Sequence, residues 1–481
     1  MRGICDPPVT DVEISDVTAD SRKAGKGTLY VATRGSRFDG NDFISDAVCR
    51  GCEAVVTDDA KAASLHRAIV TEDAKSALSR LCARLYARRS RPKIIAVTGT
   101  NGKTTTAMAT AHILRAAGFK TAVIGTLGVG FYGDELRLFD GMTTPISEKL
   151  YSALGELSRD GAEYVIIEAS SQGIAEKRLD GLTETGCALK AAVFTNLSPE
   201  HLDYHDGMDD YFQVKSRLFT EFGFEKAIVN IDSEYGKRLA KAATGRVLTV
   251  GDGADYAADR ALYGENGVEY LLSSRRLRLA VRCPFCGAYT VENTMLAAVT
   301  SLSEGIDPIT VTEAVGTFCG VRGRMEKLNT DPLDASVYID FAHTPEALRS
   351  LIVYAKKSFP ERKIKILFGC GGDRDKGKRA VMGRIATELA DHTVITSDNS
   401  RSERPEAIIS DILSGVDENS SYSVIPNRKN AIEYILKSSE AGDVILLAGK
   451  GHEDYEYRNG EKTHFDEREI VREVIDKING S

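Results

Sequence analysis

The chain has no tryptophan, only 7% aromatic residues, and no apolar run near the roughly 18 residues that a membrane-spanning helix needs. Its opening residues, MRGICDPPVTD, lack the apolar centre of a secretory signal, so the expected location is the cytoplasm, without membrane insertion. It also lacks a basic excess: 62 lysines and arginines face 70 acidic residues, for a net charge of −8. The basic residues are scattered, which argues against nucleic acid as a partner, whereas a small anion needs only a local pocket. Nine cysteines, an odd count, suit a reducing compartment in which most are small buried side chains. CPFC, residues 283–286, is a single CxxC with no second pair nearby, and reads as a turn rather than a zinc site.

What the chain does have is length and punctuation. Its 481 residues suggest three domains at roughly 100–200 residues each. The first 90 residues alternate short apolar runs (LYVAT at 29–33, EAVVTD at 53–58) with helix-like stretches, and Pro92 marks a linker. From Ile94 the order is strand (IIAV), glycine loop (TGTNGKTTT), helix (AMATAHILRAAG), with Ala107, Ala111 and Leu114 on one helix face and Gly118 as a stop. Further apolar runs at 121–125, 164–168, 191–196 and 226–230 are spaced for crossover helices and imply a mostly parallel sheet. A second series, VYIDFAHT, KIKILFG, HTVITSDN and DVILLAGKG, begins near residue 326, and each run ends in polar, chemically capable residues. Ligands collect at the carboxyl ends of strands in such sheets.

The glycine loop carries the sharpest chemistry. Gly99, Thr100, Asn101, Gly102, Lys103, Thr104 and Thr105 stand between strand and helix, where backbone N–H groups can cradle phosphate. Lys103 can reach the terminal oxygens and the Thr104 hydroxyl can bind Mg²⁺. The usual glycine six residues before the lysine is replaced by Val97, so this is a shortened phosphate loop. The expected fold class is therefore α/β in three domains: a small N-terminal α/β domain (1–92), a central P-loop-type parallel-sheet ATPase domain (93–322) and a C-terminal Rossmann-like domain (323–481).

In order along the chain, GTNGKTT, EASSQG, NLSPEHLDYH, VRGRME, DFAHTP, FGCGGDRDKGKR and AGKGHE resemble the motifs of the Mur ligases, ATP-dependent amide-forming enzymes of peptidoglycan synthesis. The likeness covers nearly the whole chain and is greatest to the branch that adds the third peptide residue to UDP-N-acetylmuramoyl-L-alanyl-D-glutamate. It implies carboxyl activation: ATP yields an acyl phosphate, an amine attacks, and phosphate leaves. It also implies Mg²⁺ bound by Thr104, Glu168 and His201, a CO₂-derived carbamate on Lys215 as a further metal aid, and a monomer. Asn293 matches an adenine contact, although AYTVEN departs from the usual FNVYN; Arg324, Asp340 and His343 match contacts to phosphate and ribose. Ser21 and Arg22 fall where relatives meet uridine, and Thr143, Thr144, Ser170, Glu176 and Arg178 where they meet sugar and peptide, with Glu176 standing in place of a frequent glutamine.

For the incoming amino acid, diaminopimelate-adding relatives use a D-N-P-R loop whose arginine grips the distal carboxylate; here the loop reads D-N-S-R, from Asp398 and Asn399 to Arg401. A guanidinium is a planar fork suited to that grip. Arg374, Gly449 and Glu453 complete the implied pocket, which favours diaminopimelate over L-lysine, L-ornithine or another diamino acid. Ser400 in place of the proline, Arg404 in place of an acidic side chain, and Glu176 keep a specialised paralogue open. A folylpolyglutamate synthetase or other Mur ligase would not need D-N-x-R and TADSR, and a non-catalytic ATP-binding protein would not need Lys103, Thr104, Glu168, His201 and Lys215 together.

Overall fold

Strands form where the chain is apolar on both faces: in KIIAVT every residue after Lys93 is buried. The computed structural model describes residues 12–35, 38–66, 68–138, 141–199, 204–331 and 333–479. Two units emerge, one built from residues 1–197, 209–255 and 296–310, the other from 198–208, 256–295 and 311–481.

The first unit begins with a parallel sheet in chain order, β1 (Asp16–Thr18), β2 (Thr28–Ala32), β3 (Ala54–Thr57) and β4 (Ile69–Val70). Tyr30, Ala32, Ile44, Ala47 and Val55 form its core. There follow β5 (Lys93–Thr98), β6 (Thr121–Gly125), β7 (Gly128–Phe131), β8 (Tyr164–Glu168), β9 (Ala188–Phe194), β10 (Lys226–Asn230) and β11 (Arg246–Val250), which lie side by side as β11-β10-β9-β5-β8-β6-β7. All of these pairs are parallel except β6 with β7. β5 lies between β8 and β9, so chain order reverses on either side of it and the loop after β5 opens at a switch point. The helix after that loop, Lys103–Ala116, buries Ala107, Ala111 and Leu114, and Gly118 follows at φ 92°.

The second unit holds an antiparallel ribbon, β12 (Tyr256–Gly264), β13 (Gly267–Ser274) and β14 (Arg278–Cys283). Its half-buried alternation contains no long apolar run, and the sequence had offered no strand there. The remaining strands are β15 (Glu326–Lys327), β16 (Ser336–Asp340), β17 (Ile364–Phe368), β18 (His392–Ile395), β19 (Tyr422–Val424) and β20 (Val444–Ala448), ordered β15-β16-β20-β17-β18-β19 and parallel except for β15. A hairpin, β21 (Tyr455–Arg458) with β22 (Glu461–His464), follows. The two CPFC thiols turn to different partners, Cys283 to the Thr294 hydroxyl at 3.5 Å and Cys286 to the Gly264 carbonyl at 3.6 Å. Among the described residues no group of three or more histidine, cysteine or acidic side chains gathers as a metal cluster.

Candidate active site

Gly99, at φ 146°, sits where a Cβ would run into the Thr195 hydroxyl, and Gly102, at φ 84°, opens the Lys103–Ala116 helix without a side-chain cap. The first-turn N–H groups of that helix are therefore presented to an anion. The loop is fastened to the end of β9: Thr100 N–H donates to the Asn196 carbonyl (2.9 Å), Asn101 N–H to Asn196 Oδ1 (2.9 Å), and the Thr195 hydroxyl to the Asn101 carbonyl (2.5 Å). Lys103 folds back, its Nζ donating to the carbonyls of Gly99 (3.0 Å) and Thr100 (2.8 Å). A second ammonium, Lys215, only 1% exposed, reaches the same Gly99 carbonyl at 2.9 Å and lies 4.7 Å from the centre of the Tyr211 ring. Both lysines thus converge on one turn of backbone.

Glu168, at the end of β8, is buried, and its carboxylate accepts from Thr104 Oγ1 (2.8 Å), Thr126 N–H (2.9 Å) and Thr126 Oγ1 (3.0 Å). A carboxylate beside a hydroxyl at the mouth of a phosphate loop is a hard oxygen set of the kind Mg²⁺ takes. Space at this carboxylate depends on Gly125, whose absent Cβ would overlap it. Gly125→Ala is accordingly expected to displace Glu168 and lower kcat about a hundredfold, with partial recovery at raised Mg²⁺, as read by ADP release over a metal titration. His201 lies outside the described residues.

Thr143 meets Thr126 through their hydroxyls at 3.0 Å, placing it beside Glu168. Thr144 is buried and donates to the Glu168 carbonyl (2.7 Å), accepts from Ser170 N–H (2.9 Å), and receives the Arg178 guanidinium on its own carbonyl (2.7 Å). Ser170 caps the short helix Ser171–Ala175. The Glu176 carboxylate is held by Lys75 at 2.7 Å, which offsets its negative charge. Arg22 is 82% exposed and forks onto Asp20, its Nε and Nη2 both at 2.8 Å, while Ser21 opens a single 3₁₀ turn.

In the second unit Asn293 is buried in the helix Thr290–Ser303. Arg324 stacks on Phe341 at 4.6 Å, and Phe341 in turn packs edge-on against His343. The Asp340 carboxylate accepts from the N–H groups of Met325 and Ala342, both at 2.8 Å; burial pushes it above the usual carboxylate range despite the nearby Arg324.

The loops after β18 and β20 bring several charged side chains together. Lys450, fully buried, donates to Asn399 Oδ1 (3.0 Å) and the Tyr455 carbonyl (2.8 Å), and lies 3.7 Å from Asp398 and 3.8 Å from Glu453. Asn399 Nδ2 donates to Glu453 at 2.8 Å. Burial alone would raise Asp398, but Lys450, Arg428 and the Asn399 N–H are among the groups that hold this carboxyl low; burial and the Asp398 charge push Glu453 up. Gly449 leaves room for the Asp398 carboxylate, since a Cβ there would lie 2.8 Å from it. Arg401 adopts a left-handed backbone at φ 52°, clamped by β21: its N–H donates to the Tyr457 carbonyl (3.0 Å), and Asn459 N–H donates to its carbonyl (2.7 Å). Its Nη1 donates to the Gly372 carbonyl at 2.7 Å. Ser400 is buried with its hydroxyl lacking a hydrogen-bond partner. Arg374 is exposed.

Thr126, Thr195, Asn196, Lys450 and the β21 hairpin were not singled out from sequence. Asn196 and Lys450 stand inside motifs already quoted, at strand ends, and that position was their signal; Thr126 and the hairpin gave none.

A phosphate loop at a switch point, with a buried glutamate beside its threonine, defines a nucleotide-dependent enzyme of the α/β class. The chain matches the Mur ligase family catalytic domain over residues 13–97, the Mur ligase middle domain over 97–301 and the Mur ligase glutamate ligase domain over 323–451. It belongs to the Mur ligase family, whose members are ATP-dependent ligases of three-domain architecture. It is 37% identical to the UDP-N-acetylmuramoyl-L-alanyl-D-glutamate–2,6-diaminopimelate ligase of Gloeobacter violaceus, covering 97% of this chain and 95% of that one. The enzyme of the same description from Streptomyces coelicolor is 38% identical, over 98% and 94%. A solved structure of such a ligase superposes with a TM-score of 0.70 at 31% identity, over 97% of this chain and 96% of the other. The fold is shared with the Thermotoga maritima MurF ligase solved with ADP, at 16% identity, coverage of 96% and 97%, and a TM-score of 0.62. No helix among the described residues is long and apolar enough to cross a membrane.

Proposed function

We propose that this protein joins meso-diaminopimelate to the glutamate carboxyl of UDP-N-acetylmuramoyl-L-alanyl-D-glutamate in peptidoglycan precursor synthesis, at the expense of ATP. The observation that carries this reading is the pair of loops after β18 and β20: Arg401, whose Nη1 lies 3.4 Å from the Asn399 carbonyl, supplies a cation, and Glu453, held by Asn399 Nδ2 at 2.8 Å, an anion, for the two charges at the far end of diaminopimelate. Residues 1–92 would bind the uridine end, 93–322 the ATP, and 323–481 the amino acid. The cell compartment is the cytoplasm and the working form a monomer.

The substrate carboxylate attacks the terminal phosphorus of ATP, ADP leaves, the free amine then attacks the acyl phosphate, and phosphate departs as the amide forms. Lys103 and the first-turn N–H groups neutralise the transferring phosphoryl group. Thr104 and Glu168, with His201, would hold Mg²⁺, which supplies charge neutralisation between phosphates and carboxylate. Lys215, buried against the loop, suits carbamylation by CO₂, which would convert its cation to an anion able to assist that metal. Thr143, Thr144, Ser170, Glu176 and Arg178 would receive the sugar-peptide, and Asn293, Arg324, Asp340 and His343 the nucleoside and phosphates.

Phosphate release with Mg²⁺-ATP and UDP-N-acetylmuramoyl-L-alanyl-D-glutamate, compared across meso-diaminopimelate, L-lysine and L-ornithine, tests this. At least a hundredfold preference in kcat/KM for diaminopimelate is expected. Preference for lysine or ornithine would overturn the acceptor assignment, and silence with all three would overturn the reaction.

A further inference from the structure

Arg379 is fully buried in the helix Gly377–Leu389, an expensive place for a guanidinium unless it organises something. It grips Glu403 with two prongs (Nη2 to Oε1 at 2.8 Å, Nη1 to Oε2 at 3.0 Å), touches the Gly371 carbonyl at 3.2 Å, and spends its remaining contact on Asp411 at 2.8 Å. Glu403 reaches back across the same gap and accepts from Asp373 N–H at 2.6 Å. Asp373, itself left-handed at φ 51°, accepts from the Ser402 hydroxyl (2.7 Å) and N–H (3.1 Å). Gly372 N–H donates to the Asn399 carbonyl at 2.9 Å, and Gly372 has no room for a Cβ because Ser400 lies against it. These bonds tie the loop 371–374 to the loop 399–403. What they present is consistent: a Cβ on Gly371 would lie 2.9 Å from Arg401 Nη1 and 4.0 Å from Arg374 Cγ, so both arginines flank one glycine.

We propose that the Arg379–Glu403 pair is a positioning device for acceptor selection, fixing the loop whose Gly372 carbonyl aims the Arg401 guanidinium. Neither residue touches the ligand; both act through Arg401 and Arg374. Arg379 holds the Glu403 carboxyl down at about 2, so the clamp stays charged throughout the working pH range. The inference rests on the acceptor proposed above, and the wild-type substrate panel decides that acceptor before any variant is made.

The test compares Glu403→Gln with Asp411→Asn. Glu403→Gln keeps the shape and an oxygen for Asp373 but weakens the fork; Asp411→Asn perturbs the other partner of Arg379, which makes no bond to the 371–374 loop. Glu403→Gln should raise KM for meso-diaminopimelate about tenfold and cut the preference over L-lysine by the same factor, with kcat and the KM values for ATP and the UDP-substrate within about twofold. Asp411→Asn should leave all five unchanged, and Glu403→Asp should recover part of the loss. The inference is overturned by an unchanged diaminopimelate KM in Glu403→Gln, by a parallel rise in all KM values, or by equal effects of the two variants.

Discussion

Lys103→Ala should lower kcat for ADP formation about a thousandfold while leaving the thermal transition and far-ultraviolet circular dichroism of the protein unchanged. The ammonium is the only part of the loop that can follow charge onto a phosphoryl oxygen, and losing one such donor typically costs 10²–10³ in rate, more where the donor is a full charge. In the free protein Lys103 donates to the carbonyls of Gly99 and Thr100, and Gly99 keeps its bond to Lys215. The loop remains fastened to β9 through Thr195 and Asn196, so the fold has little to lose. Steady-state ADP release beside a melting curve checks both halves. Undiminished turnover would remove the phosphate loop from the mechanism.

Arg401→Ala should raise KM for meso-diaminopimelate roughly 30- to 100-fold, at about 2–3 kcal/mol for a lost charge-assisted pair, with KM for ATP unchanged. The backbone should tolerate it, because alanine is no worse than arginine at φ 52° and the clamp by Tyr457 and Asn459 uses only main-chain atoms. Arg401→Lys should recover little, since an ammonium cannot reproduce the planar fork. Initial rates with diaminopimelate and lysine as acceptors decide the matter: equal losses for both would show that Arg401 does not read the distal carboxylate.

The strands of both large sheets were legible because parallel strands buried on two faces write themselves as short, uniform apolar runs, from IIAV at β5 to VILLA at β20. The phosphate loop was legible because a tight turn against β9 demands glycine at 99 and a left-handed helix entry demands it at 102. The ribbon β12–β14 was not, since its alternation is interrupted by a shift in register between Asp259 and Leu262 and by charges on its open face. Nor was the clamp on Arg401. With Ser400 in place of a proline, the restraint comes from β21, more than fifty residues downstream, through backbone bonds that no side-chain pattern reports. Thr126 was equally silent, one threonine after a strand, although it supplies two of the bonds that hold Glu168.

Arg428 joins the two loops of the charged pocket from beneath. Its guanidinium is 1% exposed, paired with the equally buried Glu467 at 2.8 Å, and it also bonds the carbonyls of Ser397 (3.2 Å) and Ala448 (2.8 Å), the residues just ahead of Asp398 and Gly449. Removing one partner of such a pair strands a charge in the core. The floor of the pocket is therefore part of the core that holds its sheet together, and it cannot slacken while that core stands. On the acceptor reading proposed above, fidelity and integrity should be lost together: as temperature climbs, misincorporated acceptors are expected not to appear ahead of inactivation.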